Sequence, residues 1–103
     1  MSFGVMGGSM QPQGHAQMMI RIFENQQNPQ AAIDAPRWRI MQGQQVNLEP
    51  GFKRETKMQL GELGHQVYNG HYFEFGGAQI IFKLEDGYLA ATDPRKDGQA
   101  VGY

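Results

Sequence analysis

Cysteine is absent from the 103 residues. That excludes a disulfide framework and any thiolate metal site, and it says little about compartment. A surplus of either charge is missing too. Nine basic and ten acidic residues leave a formal net charge of -1, so no basic field draws nucleic acid and no acidic tail is present. Apolar runs such as Met18 to Ile20 are far too short to span a bilayer, and no basic-then-apolar leader pattern opens the chain. Neither nucleic acid nor membrane is an expected partner. Tryptophan occurs once, yet an aromatic content of 11% argues against disorder. The length reads as a single segment, residues 1–103, with a modest core near the size where buried surface becomes limiting.

Glycine, by contrast, is plentiful, and it concentrates at the start. "GVMGGSMQPQGH", residues 4–15, holds four. Each costs backbone entropy on folding, so the cluster needs a reason. Phe3 to Met6 reads as a short buried strand that stops at Gly7-Gly8. From His15 to Asn25 the residues Ala16, Met19, Ile20 and Phe23 recur at i, i+3, i+4 and i+7, the stripe of an amphipathic helix that Met18 and Ile22 widen. Asn28-Pro29 opens a second helix with an N-cap followed by proline, and Pro36 ends it. "RWRIM" (37–41) and "QVNLE" (45–49) read as strands joined by a turn at Gly43. A third helix spans Phe52 to Leu63 with Phe52, Leu60 and Leu63 as its apolar positions, and Gly64 serves as its left-handed cap. "HQVY" follows as a strand. "AQIIFKL" and "YLAAT" flank "EDG", a hairpin signal. The fold class is α+β or α/β, helices on a largely antiparallel sheet. With one obvious hairpin, several strand edges are expected to lack partners, which favours pairing with another chain.

The opening glycines do not fit a nucleotide loop. A Walker pattern needs lysine to close it, and none precedes Lys53; the G-x-G-x-x-G spacing is also missing. Two uses remain for Gly7 and Gly8. A strand ending in a glycine pair can present successive N–H groups to a small anion, as an oxyanion hole does. Spacing alone favours a plain tight turn. His15, His65 and His71 show no metal-ligand spacing, and His15 is read as a helix residue placed to orient the loop. Asp93-Pro94-Arg95 reads as a proline-pinned turn with an Asp–Arg pair in preference to a substrate contact. Met6, Met10, Met18 and Met19 read as adaptable packing, and Trp38 as cover for a core edge, with a cation–π role as the alternative.

Three stretches, "GVMGGSMQPQGH", "NQQNPQAAIDAPRWR" and "ATDPRKDGQAVGY", together resemble the C-terminal part of the γ-glutamyltransferases (γ-glutamyltranspeptidases), in the same order and from end to end of the chain. The resemblance implies the C-terminal portion of the αββα sandwich of N-terminal-nucleophile hydrolases. In that family a proenzyme cleaves itself and exposes a threonine nucleophile. The resemblance assigns the oxyanion-hole pair to Gly7 and Gly8; many members carry proline before it, where this chain has Met6. It also implies that the nucleophile and the groups gripping a γ-glutamyl substrate lie on the remainder of the enzyme, which becomes the expected partner. No cofactor is implied. The alternatives are a segment of a related acylase and a non-catalytic assembly or binding module. Ser2 is rejected as nucleophile, because five extended residues put it roughly 15 Å from Gly7. An isolated chain is expected to self-associate as a homo-oligomer. Localisation stays open, with the cytoplasm slightly favoured and periplasmic or secreted members known in the family.

Overall fold

The computed structural model describes residues 1–103 throughout. In chain order the elements are β1 (Ser2–Met6), a 3-10 turn (Gly8–Met10), α1 (Gln11–Met19) with a π-helical turn (Ile20–Glu24), α2 (Pro29–Asp34), β2 (Trp38–Ile40), β3 (Gln45–Leu48), α3 (Arg54–Glu62), β4 (Gln66–Asn69), a 3-10 turn (Tyr72–Phe75), β5 (Gly77–Leu84) and β6 (Gly87–Thr92). They form two compact units. One comprises Met1–Ala35 and Gly76–Tyr103, the other Pro36–Phe75.

The first unit is an antiparallel sheet of order β1-β5-β6 with α1 and α2 packed against it. The EDG hairpin forms as expected: Leu84 pairs Gly87, leaving Glu85 and Asp86 as the loop. Alternation along β5 sends Ala78 and Ile80 inward and Gln79 and Ile81 outward. Those inward residues join Val5, Met18, Ile22, Ala32, Ile33 and Ala91 in one core cluster. Asn28 caps α2 by accepting from the N–H groups of Gln30 (2.9 Å) and Ala31 (3.4 Å), so the Asn-Pro reading of its start holds.

The first helix departs from expectation in two ways. It begins at Gln11, with Pro12 inside its first turn and Gly14 within its body. It also buries a different face. Met19, Ile20 and Phe23 are exposed, while Gly14, Gln17, Met18 and Ile22 are covered. Counting apolar residues points to the exposed stripe, which holds Ala16, Met19, Ile20 and Phe23 against Met18 and Ile22 on the buried one. Gly14 decides, because a Cβ there would stand 2.7 Å from Val5 Cγ1, so bare backbone on that face admits the strand. The helix then closes wide, with Asn25 N–H donating to Ile20 O at 2.9 Å across five residues.

The second unit is a sheet of order β2-β3-β4. β2 and β3 form an antiparallel hairpin around Gly43, whose φ is +56°. β4 instead pairs β3 in parallel, beside three antiparallel ladders, so the pairing is largely antiparallel as expected from sequence but is divided between two sheets. A parallel partner needs a crossover, and α3 supplies it. No residue of α3 is fully buried, and the expected apolar position Leu63 is exposed. Its end follows the glycine rule: Gly64 has φ +96° and His65 N–H donates back to Leu60 O at 3.1 Å.

Candidate functional site

The turn after β1 is built around a crossing of glycine backbones. Gly7 adopts φ 140° and ψ 22°, and Gly8 has φ +58°; both values favour glycine. In the turn's hydrogen bonds the two residues act as carbonyl acceptors. Gly7 O receives Met10 N–H at 3.1 Å, and Gly8 O receives Gln11 N–H. Their own N–H groups take no part in those bonds. Gly8 is exposed and Gly7 half-buried, so the turn is reachable from outside.

Three neighbours fix it. Gly76 has φ +71°, and a Cβ on it would overlap Met6 O, which no real side chain tolerates. A Cβ on Gly7 would in turn meet Gly76 Cα at 3.1 Å. These two glycines let the end of β1 cross the start of β5. On the other side, His15 Nε2 accepts from Val5 N–H at 3.0 Å, and the His15 ring meets Phe3 edge-on, with centroids 5.3 Å apart. Beneath the turn, Met10 is fully buried.

The sheet behind this turn is anchored by Asp93, which is fully buried. Its Oδ2 accepts from Ala78 N–H at 3.0 Å, and its Oδ1 accepts from the main chain and guanidinium of Arg95. The Asp-Pro-Arg stretch is thus the expected turn with its ion pair, and Arg95 adds contacts to α2. Of the four clustered methionines only Met10 and Met18 are core; Met6 and Met19 are exposed. Ser2 opens β1 opposite Ile81, the whole strand away from Gly7.

In the second unit Trp38 lines an apolar cavity of about 330 Å³ with Ile40, Val46, Phe52 and Leu60, which fits its reading as a core edge. Arg37 is buried and bidentate on Glu49, with Nη2 to Oε1 at 2.8 Å and Nε to Oε2 at 3.1 Å. Its guanidinium also lies 5.6 Å from the Phe75 ring centre. Residue reading missed this pair and also Gly76. Hairpin register would have revealed the pair, since Trp38 opposite Leu48 places residue 37 opposite 49. Gly76 gives no such signal: its partner, Met6 O, is 70 residues away in sequence.

With this geometry in view, comparison with known proteins is direct. The Gamma-glutamyltranspeptidase family model matches residues 1–103. The chain is similar to the Glutathione hydrolase-like YwrD proenzyme of Bacillus subtilis, at 34% identity over 97% of the chain and 21% of the relative. It is likewise similar to the Oxamate amidohydrolase proenzyme of Klebsiella pneumoniae, at 35% identity over 100% of the chain and 21% of the relative. The chain therefore spans about a fifth of the length of these relatives. Among solved structures it superposes on a cephalosporin acylase from Bacillus halodurans with TM-score 0.92 and 45% identity, covering 98% of this chain and 19% of that one. A gamma-glutamyltranspeptidase from Pseudomonas nitroreducens shares the fold at TM-score 0.87 and 17% identity, over 98% of this chain and 54% of that one. The α+β fold is that of a C-terminal portion of these enzymes, and the chain belongs to the γ-glutamyltranspeptidase family.

Proposed function

We propose that this chain supplies the oxyanion hole of an amide-cleaving acyltransferase or hydrolase of the γ-glutamyltransferase type, through the N–H groups of Gly7 and Gly8. The observation that carries the reading is the turn itself: two successive glycines at positive φ, on an accessible surface, with N–H groups outside the turn's own hydrogen bonds. Preorganised donors of this kind stabilise the oxygen that becomes negative when a nucleophile adds to an amide carbonyl. The names of the relatives (hydrolase, amidohydrolase, acylase) share that chemistry. A threonine hydroxyl on the remainder of the enzyme adds to the carbonyl carbon, and its proton passes to the departing nitrogen. The tetrahedral oxyanion collapses to an acyl ester with loss of the neutral amine. Water or an amine acceptor then takes the acyl group and returns a proton to the threonine oxygen. The γ-glutamyl group is the substrate the family resemblance favours.

The test uses the complete enzyme and the chain by itself. In the complete enzyme Gly8→Val should lower kcat by roughly a hundredfold or more, the scale for losing an oxyanion donor. Near-normal kcat with intact folding would reduce the pair to a plain turn. The chain alone should not hydrolyse a γ-glutamyl anilide. Turnover that vanishes in Ser2→Ala would make Ser2 the nucleophile after all.

A further inference from the structure

β1 is an edge strand, bonded only to β5, so its other side offers backbone donors with no strand to receive them. Val5 N–H, two residues before the glycine pair, is one of these. It is received by a side chain, His15 Nε2, at 3.0 Å. An imidazole nitrogen that accepts an N–H must carry a lone pair, so the ring is neutral and its proton sits on Nδ1. The ring has little freedom to turn elsewhere. Phe3 stands edge-on against it, and Gly14, the residue before it, lies tight against the Val5 side chain.

We propose that His15 is a positioning residue for the Gly7–Gly8 turn: by accepting from Val5 N–H it ties the strand that enters the turn to the helix that leaves it. The bond closes a loop from Val5 to His15, ten positions apart, with both glycines inside. Gly76 fixes the same turn from the opposite side through its contact with Met6 O. With both ties the direction of the two N–H groups is set by the scaffold. Without the histidine the free edge of β1 can move relative to α1, and a displacement of about 1 Å at such donors is costly to catalysis. Water can replace the lost acceptor, so the loss falls mainly on geometry.

This inference rests on the oxyanion reading of the pair, and the test separates the two. His15→Leu removes the acceptor, while His15→Gln keeps one at about the same reach. In the complete enzyme His15→Leu should lower kcat by about tenfold or more with KM unchanged, a fraction of what a lost donor costs, and His15→Gln should restore most of it. Nitrogen-15 NMR of the unsubstituted protein should show the ring proton on Nδ1. Unchanged kcat in His15→Leu would overturn the proposal, as would equal losses in both variants or a proton found on Nε2. Should His15→Leu fail to fold, the Gln variant and the NMR measurement still decide. A large effect of Gly8→Val beside none from His15→Leu would refute the positioning role alone. No effect from Gly8→Val would refute the oxyanion reading beneath it.

Discussion

Asp93 Oδ1 accepts from Arg95 twice, from its main-chain N–H at 2.9 Å and from its Nη1 at 3.2 Å. The rest of the guanidinium spreads over the carbonyls that close α2, with Nη1 to Ile33 O at 2.7 Å and Nη2 to Asp34 O and Ala35 O at 3.1 Å each. Arg21 reaches the same helix end, at Ala32 O (3.2 Å) and Ala35 O (3.5 Å). A helix of one and a half turns ends in orphan carbonyls, and a cation there meets both their lone pairs and the helix dipole. One carboxylate therefore fixes the central strand through Ala78 and a helix end through Arg95.

Removing that carboxylate is expected to be costly. Asp93→Ala strands Ala78 N–H and a largely buried guanidinium, and breaking a buried pair on one side typically costs about 3–5 kcal/mol. That is a large share of the roughly 5–15 kcal/mol that holds a domain of this size. Arg95→Lys should recover little, since an ammonium cannot span three carbonyls and a carboxylate at once. Urea unfolding of the two variants checks this. A midpoint within experimental error of the parent would show the clamp to be ornamental.

Gly14→Ala gives a sharper test of packing, because helix propensity and geometry disagree there. In an open helix the change gains about 1 kcal/mol. Here the new methyl meets Val5 Cγ1 at 2.7 Å, and overpacking of that kind costs about 1–3 kcal/mol. A net loss is expected, with a lower melting temperature. Val5→Ala in the same chain should relieve part of the clash, so the double variant should lose less than the sum of the singles. A stabilised Gly14→Ala would mean that α1 does not seat on Val5.

In the second unit the pair of Arg37 and Glu49 makes a parallel prediction. Glu49 Oε2 also accepts Arg37 N–H at 2.9 Å, and Arg37 Nη1 donates to Phe75 O at 2.7 Å. Glu49→Gln should lower stability by about 3 kcal/mol, because an uncompensated guanidinium stays buried. Arg37→Met combined with Glu49→Leu should be far milder than either single change. Melting curves of the three variants distinguish these outcomes, and additive losses would show that the two side chains act separately.

What sequence reading reached and what it missed follow from the range of the interactions. The cap at Asn28, the glycine at 64 and the two-residue hairpin are settled by residues within a few positions, and each stands where expected. The turn at Gly7-Gly8 was also visible, because positive φ leaves its mark in residue type. The buried face of α1 was not, since the apolar count favours Ala16, Met19, Ile20 and Phe23, and only the close approach of Gly14 to Val5 selects the other stripe. Gly76 was invisible for the same reason. Parallel pairing of β3 with β4 was legible only in the strand–helix–strand order, which calls for a parallel crossover and was missed.

Met19, Ile20 and Phe23 do not enter the core, and Phe23 is 52% exposed beside Phe82, with ring centres 6.2 Å apart. The outward face of the β1-β5-β6 sheet also shows large apolar side chains, Met6 56%, Ile81 52% and Tyr88 72% exposed, interspersed with Gln79 and Lys83. Exposed apolar side chains of this size, grouped on one surface, mark a face that another surface covers. In a chain spanning a fifth of its relatives' length, the remainder of the enzyme is the cover we propose. Isolated, the chain has only copies of itself. Exposed apolar patches and open edges such as β6 favour contact between those copies, and a two-fold contact lets two copies cover one such face or edge for each other. Sedimentation equilibrium across micromolar concentrations should therefore show a dimer or larger species. Ile81→Lys with Tyr88→Glu, both on solvent-facing positions, should shift it toward monomer without loss of secondary structure. A cooperative monomer at every concentration would mean that these faces need no cover, and the proposed contact with the remainder of the enzyme would then have to lie elsewhere.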